Sequence, residues 1–333
     1  MTAWAWLLVS LGIILVGCDL FTNGIEWAGK KLSLSEGAVG SVLAAVGTCL
    51  PETLIAVLAI VFGRHAGAGG EGIGIGAILG APLMLSTLAF FITGAAVLLF
   101  SLTGRRTVQM QVDHRVVGRD LRFFFVVFAM AAVASFLPGR TWNYVAAAAL
   151  VILYGLYVYR TFAERGAPDR DEDISPLHFR RRSDNPPLWT VLTQVVIGLC
   201  VLMFGAHLFV GELTDIGAAT RIPLLVLSLI LTPIATELPE KFNSVLWVRQ
   251  GKDTLALGNI SGAMVFQSSI PPAIGLAFTR WDLDRQAIAC VVVALASAAA
   301  AYMEMTWRKR LSPWSLLLGG VFYTVYIVWV LRA

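Results

Sequence analysis

Charge is what this sequence has least of. Only 14% of its 333 residues are Asp, Glu, Lys or Arg, against 57% apolar, whereas soluble domains carry about 25% charged residues. That leaves too little polar surface to solvate a globule of this length. Cysteine is sparse as well. Cys18, Cys49, Cys200 and Cys290 all lie in apolar runs, with neither disulfide-framework nor zinc-ligand spacing. No basic patch interleaved with aromatics occurs, so the net charge of +4 points to basic loops beside a membrane and not to nucleic acid. Basic residues are also missing ahead of the first apolar run, where a signal peptide wants them. Leu15-Val16-Gly17-Cys18 looks like a lipoprotein cleavage box, but without that start the segment reads as a first transmembrane helix.

What the chain has instead is apolar runs of about 18–30 residues, repeated along its length. They predict an all-α membrane protein with ten transmembrane helices, near 4–27, 36–63, 72–102, 120–137, 141–162, 188–212, 222–248, 254–278, 286–306 and 312–331. The third is long enough to tilt or to bend at Pro82. Loops after odd-numbered spans carry eighteen Lys and Arg, those on the other side six. The positive-inside rule therefore puts the odd loops in the cytoplasm and both termini outside. The expected location is a bacterial inner (plasma) membrane. One polar linker, 164–187, holds Pro168, Pro176, Pro186, Pro187 and charges of both signs, and reads as a partly disordered cytoplasmic loop. It separates two five-helix units, 1–163 and 188–333.

The two units repeat. At an offset of 188, Gly17 meets Gly205, Phe21 meets Phe209, Thr48 meets Thr236, and Leu50-Pro51-Glu52 meets Leu238-Pro239-Glu240. Past the Gly-rich turn Gly63 to Gly74 the offset is 182, where Gly76 and Gly80 meet Gly258 and Gly262. Five helices is an odd number, so the second unit enters the bilayer upside down. Such inverted-topology repeats are a signature of secondary transporters, with sites near the midplane between the repeats.

The doubled Thr-x-Leu-Pro-Glu carries the chemistry. A carboxylate inside a span costs roughly 2.5–3.5 kcal/mol on insertion scales, and a proline there removes a helix hydrogen bond. Thr48 and Glu52 are four apart and share a helix face, as do Thr236 and Glu240. Pro51 and Pro239 free the carbonyls of Gly47 and Ala235. Each motif thus offers a carboxylate, a hydroxyl and a carbonyl, the hard oxygen ligands that Ca²⁺ and Na⁺ prefer. Two facing carboxylates match a divalent ion; without it they repel, and protons can compete. The glycine pairs are expected to let the third and eighth spans lie closely on the second and seventh.

With these motifs placed, the chain resembles the cation/Ca²⁺ exchanger superfamily, in particular its sodium/calcium-exchanger membrane region. The match rests on Gly47-Thr48-Cys49-Leu50-Pro51-Glu52, Thr236-Glu237-Leu238-Pro239-Glu240 and Gly258-Asn259-Ile260-Ser261-Gly262. Val16-Gly17-Cys18-Asp19 and Phe204-Gly205-Ala206-His207 look like the family's run ahead of each motif. The resemblance implies alternating access, with the first and sixth spans sliding past a fixed core. It implies that Glu52 and Glu240 bind the ion, helped by Thr48 and Thr236. Glu237 and Gln267 complete the candidate ligand set. No cofactor is implied beyond the transported ions, Ca²⁺ and Na⁺ or H⁺, and the partners are inorganic cations and the lipid bilayer.

The departures from the family pattern are equally informative. Its serines are Cys49 and Glu237 here, and Ala81 and Ala263 later; where it carries Asn or Asp, this chain has Leu85 and Gln267. Lost monovalent-ion ligands favour H⁺ coupling over Na⁺. Lys241, four residues from Glu237, either neutralises it on one helix face or acts as a tethered cation in place of an ion. Asp19, Asn23 and Glu26 either line an ion access path or form a solvated helix end. The leading expectation is an antiporter exchanging Ca²⁺ or a related cation for Na⁺ or H⁺. Its rivals are a monovalent cation/proton antiporter, a non-transporting scaffold, and an intramembrane hydrolase with paired carboxylates; the inverted repeat argues against the last.

Overall fold

The computed structural model describes residues 2–31, 49, 52–61, 69–164, 175–183 and 185–332, and no strand occurs among them. The helices are α1 (Thr2–Lys31), α2 (Glu52–Val61), α3 (Gly69–Met84), α4 (Phe90–Leu102), α5 (His114–Ala134), α6 (Arg140–Glu164), α7 (Leu188–Thr220), α8 (Leu224–Arg249), α9 (Asp253–Gln267), α10 (Ile270–Phe278), α11 (Arg285–Arg308) and α12 (Pro313–Val330). Side-chain chemistry sets many of the boundaries. Asp113 and Asp284 cap α5 and α11 by accepting from Arg115 N and Ala287 N, both at 2.8 Å. Pro313 opens α12. Arg221, at φ 60°, closes α7 ahead of Pro223.

Among the described residues, seven stretches are long and apolar enough to cross a membrane: Ala3–Phe21, Gly70–Leu102, Arg140–Thr161, Leu188–Thr220, Asp253–Phe278, Arg285–Arg308 and Pro313–Val330. The other three expected spans fall on α2, α5 and α8. Only Cys49 and Glu52–Val61 of the second are described. α5 opens with His114, Arg115, Arg119, Asp120 and Arg122, which shortens its apolar part, and α8 carries Glu237, Glu240 and Lys241 at its centre.

Two of the crossing stretches are irregular, at positions related by the 182-residue offset. Between α3 and α4, Leu85–Ala89 forms a π-helical turn, three residues beyond Pro82, where a bend was expected. Between α9 and α10, Ser268 and Ser269 interrupt the helix. Such departures free backbone groups that a regular helix would use internally.

α1 and α7 form a pair of their own. A Cβ on Gly17 would lie 2.7 Å from Leu202 N, and one on Gly205 2.9 Å from Ile14 Cγ1. Further along, Gly24 meets Val195 and Gly198 meets Phe21. Rising numbers on one helix meet falling numbers on the other, so the two run antiparallel, with backbones in contact because glycine removes the side chain between them. Their apolar contacts, with Ile55, Leu58, Ile73 and Leu227, form a cluster separate from the main core of α3–α6 and α8–α12.

Part of the expected linker packs on α1 and α7. Residues 165–174 and Asp184 lie outside the described residues; Ser175–Phe179 is docked. Ser175 O accepts from Asn23 Nδ2 at 3.1 Å and from Trp27 Nε1 at 3.0 Å. Asn23 Oδ1 accepts from His178 N, and Gln194 Oε1 from Phe179 N. Leu177, 0% exposed, is wedged between Trp27 and Val191, and Lys31 bonds to Asn185. Asn23 therefore neither lines an access path nor is solvated: it is buried and joins α1 to the linker and to Gln194 of α7. Asp19 is exposed but sits 3.0 Å from His178 Nε2. The Glu26 side chain lies outside the described residues.

Candidate functional site

The described part of α2 opens on the motif carboxylate. Glu52 is 1% exposed, and the hydroxyl of Thr53 folds back to donate to Cys49 O at 2.9 Å. Facing it is the C-terminal end of α9. Gln267 is also 1% exposed, and its Nε2 donates to Glu52 Oε2 at 3.1 Å and to Cys49 O at 3.4 Å. The helix ends at Gln267 itself, and the Ser269 hydroxyl returns to Val265 O. A buried carboxylate needs such partners, because desolvation otherwise drives it to neutralise.

The second motif lies on α8. Its approach to α3 is set by Gly76 and Gly80, whose missing side chains make room for the Leu225 and Leu229 carbonyls. Ser228 Oγ donates to Ile73 O at 2.6 Å across the same seam. Thr236 is buried, and its hydroxyl donates to Thr232 O within its own helix at 2.8 Å. Gly76 and Gly80 thus hold the third predicted span against the seventh. Gly258 and Gly262 do not act as a matching close contact: the nearest atoms to a Cβ there are Val116 Cγ1 at 3.9 Å and the Tyr157 hydroxyl at 3.5 Å.

Of the candidate ligands, Glu52 and Gln267 are in direct contact, with the Cys49 carbonyl beside them. Thr236 is turned onto its own helix. Thr48 lies outside the described residues, as do the side chains of Glu237, Glu240 and Lys241. Among the described residues no three His, Cys, Asp or Glu side chains converge on one point. The described donors are a carboxylate, a carbonyl and an amide, all hard oxygen chemistry.

Sequence reasoning passed over two buried ion pairs that hold α9. Arg106, before α5, forks onto Asp253 at the start of α9, with Nη1–Oδ1 2.6 Å and Nη2–Oδ2 2.8 Å; Gln111 N adds a third bond to Asp253 at 2.8 Å. One helical turn into α5, Arg119 pairs with Asp120 at 3.1 Å and lies over the Tyr157 ring. Ser261 Oγ then donates to Asp120 Oδ2 at 2.7 Å. Asp120, an acid at the very start of a predicted span, was the available signal. α9 is thereby tied at its start, middle and end to Arg106, Asp120 and Glu52.

The sodium/calcium exchanger protein family matches residues 2–163 and 190–333. A putative antiporter, CaxA of Alkalimonas amylolytica, is 24% identical over 319 residues, covering 92% of this chain and 91% of that one. Two solved structures are similar in fold. The H⁺/Ca²⁺ exchanger CAX superposes with a TM-score of 0.74 at 15% identity, covering 99% of this chain and 87% of that one. The sodium-calcium exchanger NCX_Mj gives 0.61 at 21% identity, with 98% of each chain covered.

Proposed function

Since the chain belongs to the sodium/calcium exchanger protein family, and is therefore an integral membrane ion exchanger and not an enzyme, we propose that it is a secondary antiporter. It exchanges Ca²⁺ or a related cation for Na⁺ or H⁺ by alternating access, and the ion sits between the two Leu-Pro-Glu motifs. One observation carries this reading above the rest: Glu52, a membrane carboxylate at 1% exposure, faces an amide and a carbonyl in a water-poor interior. Glu240, Thr48, Thr236, Glu237 and Gln267 complete the proposed ligand set.

The proposed architecture is ten transmembrane helices in two inverted five-helix repeats, 1–163 and 188–333, joined by a cytoplasmic linker, 164–187. The reciprocal seam of α1 and α7 supports it. Gly17 touches Leu202 while Gly205 touches Ile14, and both pairs of counterparts are 188 residues apart. Reciprocal contact between antiparallel helices is what a two-fold axis in the membrane plane produces. The interrupted helices at Leu85–Ala89 and Ser268–Ser269 support it independently. The separate apolar cluster of α1 and α7 suits a pair that slides against a core tied by buried ion pairs. The basic loops favour both termini outside a bacterial inner membrane.

A second reading, a monovalent cation/proton antiporter, is favoured by the losses at Cys49, Ala81, Ala263 and Leu85. Proteoliposome flux separates the two. ⁴⁵Ca²⁺ uptake driven by an outward Na⁺ or H⁺ gradient, abolished in Glu52→Gln, is the expected result. Na⁺ or K⁺ exchange for H⁺ without Ca²⁺ uptake selects the second reading, and no flux of any cation refutes both.

A further inference from the structure

α6 and α10 leave a groove between them on the outside of the bundle. It measures about 230 Å³ and its walls are apolar, with Ala147, Ala148 and Val151 on α6 and Ile270, Ala273 and Ala277 on α10. The alanines create it, because side chains that end at Cβ leave the space between two helix backbones unfilled. At one end, Asn143 Nδ2 donates to Arg280 O at 3.5 Å and Arg140 Nη2 to Ala277 O at 3.4 Å. Those contacts join the first turn of α6 to the end of α10, so the two helices run antiparallel and the groove descends from there. From Arg140 to Val151, α6 rises about 16 Å; from Phe278 back to Ile270, α10 falls about 12 Å. One leaflet contributes about 15 Å of hydrocarbon, half of a bilayer core. The groove thus runs about the depth of one leaflet.

We propose that this groove holds one acyl chain of an anionic phospholipid, with the lipid phosphate on the Arg140 guanidinium. Arg140 is exposed and is the first residue of a membrane-crossing stretch, which places it at the depth of the headgroups. Its Nε donates to the Tyr144 hydroxyl at 2.9 Å and its Nη2 to Ala277 O. The Tyr144 ring lies beside it, 5.7 Å from Cζ to centroid. Tyr144 and Ala277 therefore hold the guanidinium at the head of the groove and leave Nη1 to donate to a phosphate, the anion that suits arginine best. A carboxylate at this end, Glu71, accepts instead from Arg280 N at 2.6 Å. Trp142, exposed beside Arg140, is the residue type that gathers at the membrane interface. A second copy of this chain fits less well. The groove takes a file of methylenes, whereas a helix is about 10–12 Å across, and a stable protein interface buries about 1,200–2,000 Å². A free phosphate would use Arg140 and leave the apolar groove without a purpose. The site is separate from Glu52 and Gln267, and the proposal holds whichever cations are exchanged there.

Native mass spectrometry of the purified full-length protein tests this, with dioleoyl phosphatidylglycerol, dioleoyl phosphatidylcholine or inorganic phosphate titrated in. The first lipid bound by wild type should be phosphatidylglycerol, preferred over phosphatidylcholine by about fivefold, the worth of one basic residue at a membrane surface. Arg140→Gln should remove that preference and Arg140→Lys should restore most of it. Ala148→Leu, which fills the groove from an exposed position, should weaken both lipids several-fold. Inorganic phosphate should displace neither. Because Arg140 and Ala148 are exposed, thermal midpoints without added lipid should stay within a few degrees of wild type. Equal retention of the two lipids by wild type would overturn the proposal. So would a phosphatidylglycerol preference that survives Arg140→Gln, or lipid binding indifferent to Ala148→Leu. Displacement of the lipid by phosphate would assign Arg140 to a soluble anion, and a dimer lost in Ala148→Leu would assign the groove to a second copy; either result refutes the lipid site.

Discussion

Replacing Asp253 by Asn should cost this protein several kcal/mol, although Asp253 lies near neither motif in sequence. Its carboxylate accepts two charge-assisted bonds from Arg106 and one from Gln111 N, at 2.6–2.8 Å, and the side chains are 1% and 6% exposed. Arg106 also donates to Val248 O at 2.8 Å, near the end of α8. Removing one partner of a buried pair leaves an uncompensated charge, which costs about 3–5 kcal/mol. Asp253→Asn keeps the shape but turns an N–H toward a donor, so about 3–4 kcal/mol is expected. Arg106→Met should cost a similar amount. The double variant removes both charges and leaves only the Gln111 contact to be made. It should therefore lose about 2–3 kcal/mol less than the sum of the singles, the upper end of measured couplings between contacting residues. Unfolding in detergent micelles by SDS titration reads these differences. The looser pair Arg308–Glu304, at 3.7 Å with its arginine largely exposed, is the control: Arg308→Gln should shift stability by less than about 1 kcal/mol. A cost below about 1 kcal/mol for Asp253→Asn, or strictly additive singles, would show that the clamp does not bear on stability and that α9 is held by apolar contact alone.

Other changes test the α1–α7 pair and the linker. Gly17→Leu drives a side chain into the Leu202 backbone, 2.7 Å from where a Cβ would sit, and should cost about 1–3 kcal/mol in overpacking and slow flux. Gly12→Ala, with nothing within 4 Å, should be neutral or gain up to about 1 kcal/mol from helix propensity; equal effects at both sites would contradict the close α1–α7 contact. Leu177→Asp places a charge at a position that is 0% exposed, and should free the docked linker so that trypsin cuts at Arg180–Arg182 several-fold faster, with no change expected from Phe179→Ser, which alters an exposed side chain. Gln267→Glu brings a second carboxylate to Glu52, so protons should compete more strongly; cation binding should then weaken more steeply below neutral pH than in wild type.

Much of the fold was legible because membrane insertion is decided locally. A run of apolar residues must span whatever its neighbours do, so α1, α6, α7, α11 and α12 could be read directly. α5 and α8 were read from the same apolar runs, although their own polar residues dilute that signal. At the site, Glu52 was legible as a charge that a membrane tolerates only for a reason. Its partner was legible only as a residue out of place, Gln267 where the resemblance expected Asn or Asp.

What the sequence determined by itself, then, is the class of molecule and the location of its costly groups. Hydropathy, loop charge and a doubled motif are properties of position along the chain. The tertiary structure alone decided who meets whom. Nothing in the linker's polar composition showed that Leu177 would fill a gap between α1 and α7, since burial depends on what stands opposite. Nothing in the spacing of Arg106, Asp253, Asp120 and Ser261 showed that these groups would bond to one another across more than a hundred residues. The same holds for the amide on Glu52: its reach, its direction and the helix end that carries it exist only once the two units are folded together.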